Sequence, residues 1–418
     1  MISKQTAIIL ILVIFIGALG ALVWFYFSFN SNPVTKTPVA TSTDVYDPFG
    51  TRATNTPVST TTITNITVVD NNPVSVLNPA RLRKISEEPV AGFSITENPN
   101  TKRTDIHYIL RANGNIYETY SDSPESKRLS ITTIPKVYES TWFPGGNKLA
   151  VRYLKDDNET IETFSVKINP ATTTLNEFEG GIDGNHLAEN ISQLVINPLG
   201  DKIFYLTNSL AGSSGFTAKP DDLNKKLIFE SPLKEWSVSW PKEDTITLTT
   251  KPASGINGYM YFLNSQSGKT SRVLGGINGL TTKTNKTASE VLYSDGTRGA
   301  PRLYLYDVKT GGSKLLPWNT LPEKCLWSNT DPKIIYCAVP KNFPTGEYPD
   351  SWYQGLTSFT DDIWMINSDT MASTLVFDIS RETSNIIDID SLQIDKNDNY
   401  LYFTDKTSLT FWSLNLKP

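Results

Sequence analysis

The sequence predicts an all-β fold: a seven-bladed β-propeller closed by an N-terminal strand, preceded by one transmembrane helix and a disordered linker. Three observations carry the prediction. A strand–turn–strand unit recurs seven times after residue 80. Each unit is followed by two more strand-like runs, giving four strands in a repeat of roughly 40 to 50 residues, the period of a propeller blade. The one long apolar run lies at the very start, at residues 7 to 27. The chain accordingly divides into an anchor (1–29), a linker (30–79) and a propeller (80–418).

The run AIILILVIFIGALGALVWFYF holds about twenty uncharged residues, which at about 1.5 Å each matches a hydrocarbon core of about 30 Å. Trp24, Phe25 and Tyr26 close it where amphipathic rings favour the lipid–water boundary. Lys4 and the free amine precede it and the next charge is Lys36, so the positive-inside bias puts the N-terminus in the cytoplasm and the bulk outside. A cleaved signal peptide is the rival, because Ala18-Leu19-Gly20 has small residues at signal-peptidase spacing; yet the run continues through Phe27, past an h-region of about 7 to 15 residues. Gly17 and Ala21 are either a small-xxx-small contact between two such helices or ordinary small residues facing lipid.

Residues 30 to 79 are rich in Thr, Ser, Asn, Pro and Val, with too few large apolar side chains to offset backbone ordering, and read as a tether spanning roughly 40 Å. Within it, Tyr46, Pro48, Phe49 and Gly50 form an aromatic island, a docking motif or a chance cluster, and residues 63 to 70 have strand composition.

The seven hairpins begin at AGFSITENPNTKRTDIHYIL (91–110), STWFPGGNKLAVRYL (140–154), SQLVINPLGDKIFYL (192–206), WSVSWPKEDTITLTT (236–250), LTTKTNKTASEVLYS (280–294), KCLWSNTDPKIIYCA (324–338) and SLQIDKNDNYLYFTD (391–405). Third strands follow as NIYETY, ETFSVKI, GFTAKP, YMYFLN, RLYLYD, DIWMIN and FWSLNL, and fourth strands as KRLSITT, TTLNEFE, KKLIFES, TSRVLG, SKLLPW and STLVFD. The seventh fourth strand is missing downstream. ARLRKIS (80–86) has its pattern and is expected to complete the last blade, removing an open sheet edge.

WFPGGNKLAV, with INPLGDKIFYL and WPKEDTITL, resembles the W-S-P-D-G-K-x-I-A-F repeat of TolB-like and WD40-like bacterial β-propellers. The likeness covers roughly residues 80 to 416. It implies a propeller used as a binding platform, often in the cell envelope, and carries no catalytic residues across.

Composition and motifs exclude several functions. A net charge of −5 supplies no basic field for counterion release, so no nucleic-acid partner is expected. Two Cys and two His leave no Cys/His zinc site of about four ligands. Gly212-Ser213-Ser214-Gly215-Phe216 lacks the closing glycine of a nucleophile elbow, and no His follows His186. Ser294-Asp295-Gly296-Thr297 is only superficially a sialidase Asp box, and H-E-x-x-H is absent. His107 falls in an expected strand and His186 in an expected loop, both as structural or surface residues. Asp395, Asn397 and Asn399 have a spacing that can ring Ca²⁺, with Asp388 and Asp390 nearby, but they sit at a hairpin turn where Asp and Asn are favoured anyway. No catalytic residue, metal site or cofactor is assigned, and the chain is expected not to be an enzyme.

Cys325 and Cys337 flank the turn of the sixth hairpin symmetrically, so they fall nearly opposite each other: a disulfide, or two buried thiols. Two segments read as insertions, the glycine-rich 209–222 and the longer 340–362. The second carries Phe343, Tyr348, Trp352, Tyr353 and Phe359, either as a partner or ligand surface or as a cap on the propeller core.

The function expected is a single-pass, N-in cell-membrane protein whose extracytoplasmic propeller binds an envelope protein or a small ligand. The alternatives are a hydrolase or lyase acting on envelope glycans or peptides through carboxylates at the central channel, and a purely structural envelope component. The tether would join the end of the propeller opposite its b–c loops.

Overall fold

The computed structural model describes residues 80–417 except 99, 170–180, 297–298 and 383–385. The segment 7–27, the linker and the run TTLNEFE lie outside the described residues. Seven four-stranded antiparallel sheets follow one another, each ordered a-b-c-d in chain sequence except the last. There the first strand, Leu82–Ser86, pairs with Phe411–Asn415, Leu82 opposite Leu414 and Lys84 opposite Trp412. This is the closure the sequence predicts. Arg81 adds a hydrogen bond from Nε to the Asn415 oxygen at 2.9 Å, and Arg83 donates to the Tyr120 oxygen of blade 1 at 3.0 Å.

The reason these sheets form a ring lies in their b strands. Lys148–Leu154, Ile203–Ser209, Glu290–Asp295 and Tyr400–Asp405 are β-branched and aromatic, and their central residues are buried on both faces. A sheet apolar on both faces must meet a neighbour on each side. The apolar core is therefore seven clusters, one at every blade interface, and Val90, Phe93 and Ile106 of blade 1 against Tyr402 and Phe411 of blade 7 close the circle.

The a–b turns share a device: an Asx side chain just after strand a accepts backbone N–H groups across the turn. Asn98, Asn197, Asn285 and Asp395 do this in blades 1, 3, 5 and 7, Asp395 Oδ1 taking the N–H of Asn399 at 2.6 Å and of Tyr400 at 2.9 Å. That is what the D-x-N-x-N spacing does here. Asp398 of the same turn accepts from Ser328, Thr330 and the Asn329 N–H of blade 6. Burial pushes its pKa up, but these hydrogen bonds outweigh it and hold the carboxyl below its ordinary value.

Two local expectations change. The glycine-rich stretch is not an insertion: Gly212–Ala218 is strand c of blade 3, in register with Ile203–Ser209 across a tight turn. Glycine is needed because a Cβ at Gly215 would meet the Phe204 ring at 2.7 Å, and one at Gly212, with φ +138°, the Ser231 oxygen at 2.0 Å. The strand paired with Ile161–Asn169 in blade 2 is Gly181–His186, so His186 ends a strand rather than lying in a loop.

Candidate functional site

Antiparallel order puts the b–c and d–a connections of every blade at one end of the axis and the a–b and c–d turns at the other. The long b–c segment of blade 6 joins Ile334–Pro340 to Asp361–Asn367 through a short helix, Asp350–Tyr353. It folds inward. Tyr348, Trp352 and Phe359 are each no more than 2% exposed and pack with Leu321, while Phe343 lies half-buried against them, its ring centroid 4.9 Å from that of Phe359. Of the five aromatics, Tyr353 alone is exposed, at 38%. The sequence leaves cap and contact surface open; the structure places four rings in a plug.

Beneath the plug lies Lys324, fully buried. Its ammonium donates to Asp361 Oδ2 at 2.7 Å, Asp388 Oδ1 at 2.5 Å and the Ile389 oxygen at 2.8 Å. Trp352 Nε1 and the Phe359 N–H donate to Asp388 at 2.9 and 3.1 Å, so the same carboxylate holds the plug. Burial alone would lower the lysine; the two carboxylates outweigh it and raise it. Burial pushes Asp361 up to about 6. Signals for this network exist in the sequence, in Asp361-Asp362 at the head of an apolar strand and Asp388 within IIDID, but their buried lysine partner is identifiable only once blades 6 and 7 are adjacent.

Nearer the axis, Tyr353 hydroxyl donates to Glu323, whose carboxyl is raised by burial, and Lys283 Nζ points at the Glu323 backbone oxygen at 3.4 Å. Asp390 lies within electrostatic reach of all three. At the a–b end of the axis a cavity of about 890 Å³ opens between blades 5, 6, 7 and 1, lined among others by Thr96, Lys283, Lys286, Trp327 and Gln393.

Cys325 and Cys337 stand directly opposite in the first hairpin of blade 6, Cα atoms 4.0 Å apart, and are joined by a disulfide. His107 lies in strand b of blade 1, its Nε2 3.2 Å from Glu118 and its ring stacked on Trp142. Among the described residues no group of three His, Cys, Asp or Glu could hold a metal ion, and no described helix is long and apolar enough to cross a membrane.

The remaining surface signal is apolar. Of twelve exposed large hydrophobic side chains among the described residues, seven lie on b–c or d–a connections: Ile131, Leu210, Leu233, Ile256, Tyr353, Leu356 and Ile386. Leu210 is 99% exposed and Leu356 77%. Among the described residues, the a–b and c–d connections carry Leu199 and Leu223.

The fold has solved counterparts. An oligogalacturonate lyase in complex with manganese superposes with a TM-score of 0.50 at 11% identity, covering 79% of this chain and 98% of that one. An oligogalacturonate lyase from Vibrio parahaemolyticus gives 0.51 at 10% identity, covering 80% and 98%. TolB from Acinetobacter baumannii gives 0.41 at 11% identity, covering 67% and 61%. No protein-family model matches the chain, and no curated protein matches it in sequence. The chain is a seven-bladed β-propeller. At such identities the likeness carries the architecture and no activity, and the enzyme among the neighbours leaves the absence of catalysis here unsupported.

Proposed function

We propose that this protein is a membrane-anchored binding module of the cell envelope, its propeller extracytoplasmic and its b–c/d–a end the surface on which a partner protein docks. The observation that carries the reading is the bias of exposed large apolar side chains toward that end, seven of the twelve among the described residues. Interfaces take most of their energy from a few buried anchors, with Tyr among the favoured types, and Tyr353 lies at this end. The plug and its buried lysine give the docking end a rigid base, since the long loop is tied to blade 7 through Asp388. The apolar run at 7–27 supports the anchor, and the disulfide suits an oxidising compartment.

Photo-cross-linking tests this. A benzophenone amino acid replacing Leu210 or Leu356 in the full chain, expressed in cells, should give a discrete protein adduct, while the same probe at Leu199 or Leu223 should not. Equal adducts at both ends, or none at Leu210 and Leu356, would refute the docking end.

A second reading, a lyase or hydrolase acting on envelope glycans, draws on the likeness to oligogalacturonate lyases and on the convergence of Lys283, Glu323, Tyr353 and Asp390 near the axis. Turnover of oligogalacturonate by the purified chain, abolished by Glu323→Gln, would favour it over the first.

A further inference from the structure

We propose that the cavity at the a–b end of the axis binds a small hydroxylated carboxylate, with the Lys283 ammonium as its anchor. The site lies at the opposite end of the propeller from the docking surface and rests on different residues, so either can fail without the other.

The volume, about 890 Å³, lies in the range of about 300 to 1,000 Å³ typical of small-molecule sites. The lining carries Lys283, Lys286 and Lys396 against the carboxylates of Glu97 and Asp395, a net positive charge. Lysines elsewhere in the interior are compensated: Lys324 has two carboxylates, and Lys396 at the cavity rim has Glu97 at 3.0 Å. Lys283 forms no salt bridge within 4.0 Å among the described residues; the Glu323 carboxyl is taken by the Tyr353 hydroxyl, and the Glu323 backbone oxygen lies 3.4 Å from its ammonium. Burial pulls the Lys283 pKa below its ordinary value, with Glu323 and Asp390 offsetting this in part. Lys286, three residues on, has the Asn329 side-chain oxygen at 2.5 Å and no carboxylate. A desolvated ammonium with no carboxylate in direct contact is costly, and a bound anion would reduce that cost.

The rest of the lining fits hydroxyls beside the carboxylate. The Thr284 hydroxyl is buried with no hydrogen-bond partner among the described residues, and Thr96 and Gln393 offer further polar groups in the lining. Trp327, whose Nε1 is held by Glu290 at 3.2 Å, gives an apolar wall. Three ammonium groups against two carboxylates in the lining disfavour a cationic ligand.

The test is calorimetric titration of the full chain in detergent with D-glucuronate, its neutral counterpart D-glucose, and succinate as a carboxylate without hydroxyls. Glucuronate should bind, at least about tenfold more tightly than glucose, with succinate weaker than glucuronate. Lys283→Gln should lose about tenfold or more in affinity for glucuronate, the loss expected when a charged hydrogen bond goes. Lys167→Gln, on the outside of blade 2, should lose nothing. If Lys283→Gln fails to fold, Lys286→Gln supplies the test, with a loss of several fold. Glucose binding as tightly as glucuronate, succinate matching it, an unchanged affinity in the lysine variants, or no glucuronate binding would overturn the proposal.

Discussion

Replacing Lys324 by Met keeps the length of the side chain and removes the charge that two buried carboxylates share. Asp361 and Asp388 accept from this ammonium at 2.7 and 2.5 Å, and all three side chains are fully buried. Breaking a buried pair from one side costs about 3–5 kcal/mol because the other charge stays buried and unpaired. With two carboxylates left facing each other, we expect about 4 kcal/mol. At an unfolding entropy of about 2.1 cal/mol/K per residue over some 340 residues, that is about 6 °C in Tm. The deficit should also depend on pH. Asp361 already sits above its ordinary value, at about 6, so the folded state holds its proton more tightly than the unfolded chain does. This group's contribution is therefore favourable at low pH and lost as pH rises through about 6. Without the lysine Asp361 holds its proton more tightly still, so the variant's deficit should be smaller at pH 5 than at pH 8 by at least about 1 kcal/mol. Urea unfolding of wild type and variant at both pH values measures it. The triple variant Lys324→Met, Asp361→Asn, Asp388→Asn, which carries no unpaired charge, should recover most of the loss. A Tm within about 1 °C of wild type, or a deficit that grows on acidification, would refute the reasoning.

Other outcomes follow from the same contacts. Deleting residues 80–86 removes the strand that pairs with Phe411–Asn415 and should expose a sheet edge, seen as aggregation by light scattering, whereas deleting 31–60 should leave the melting curve unchanged. The double change Cys325→Ala, Cys337→Ala opens a short loop and should cost about 3 kcal/mol in urea unfolding without abolishing the fold. Trp352→Ala should cost about 3–5 kcal/mol, since it empties a buried aromatic site and strips Asp388 of a donor, while Tyr353→Phe, which keeps the ring and removes only the donor to Glu323, should cost about 1 kcal/mol.

Repeat architecture was legible because it is local. Each hairpin carries its own alternation and turn residues, and the count of third and fourth strands leaves one strand unaccounted for that only ARLRKIS can supply. The opposition of Cys325 and Cys337 is likewise a matter of symmetric spacing within one hairpin. The boundaries that failed involve glycine. Gly212, Ser213 and Ser214 look like loop residues ahead of the expected strand GFTAKP, yet the strand begins at Gly212, and the lack of Cβ at Gly212 and Gly215 lets Ser231 and Phe204 approach. The fate of the five aromatics could not be read either, because a ring in a long loop is exposed or buried according to what lies beneath it, and what lies beneath, Lys324 with Asp361 and Asp388, assembles from two blades. The same holds for Lys283. As a sequence KTNK is an ordinary polar turn, and only closure of the ring leaves its first ammonium inside a cavity with no carboxylate within 4.0 Å of it among the described residues.

The central claim, an extracytoplasmic propeller engaged at its b–c/d–a end, is tested most directly by cysteine labelling in intact cells, with the outer envelope permeabilised where there is one. Single Leu199→Cys, Leu210→Cys and Leu356→Cys variants of the full chain are exposed to a membrane-impermeant maleimide, then compared with the purified protein. The account predicts labelling of Leu199→Cys in cells, protection of Leu210→Cys and Leu356→Cys in cells, and labelling of all three after purification. Labelling of none until the cells are lysed would contradict the location, and equal labelling of all three in intact cells would contradict the docking end.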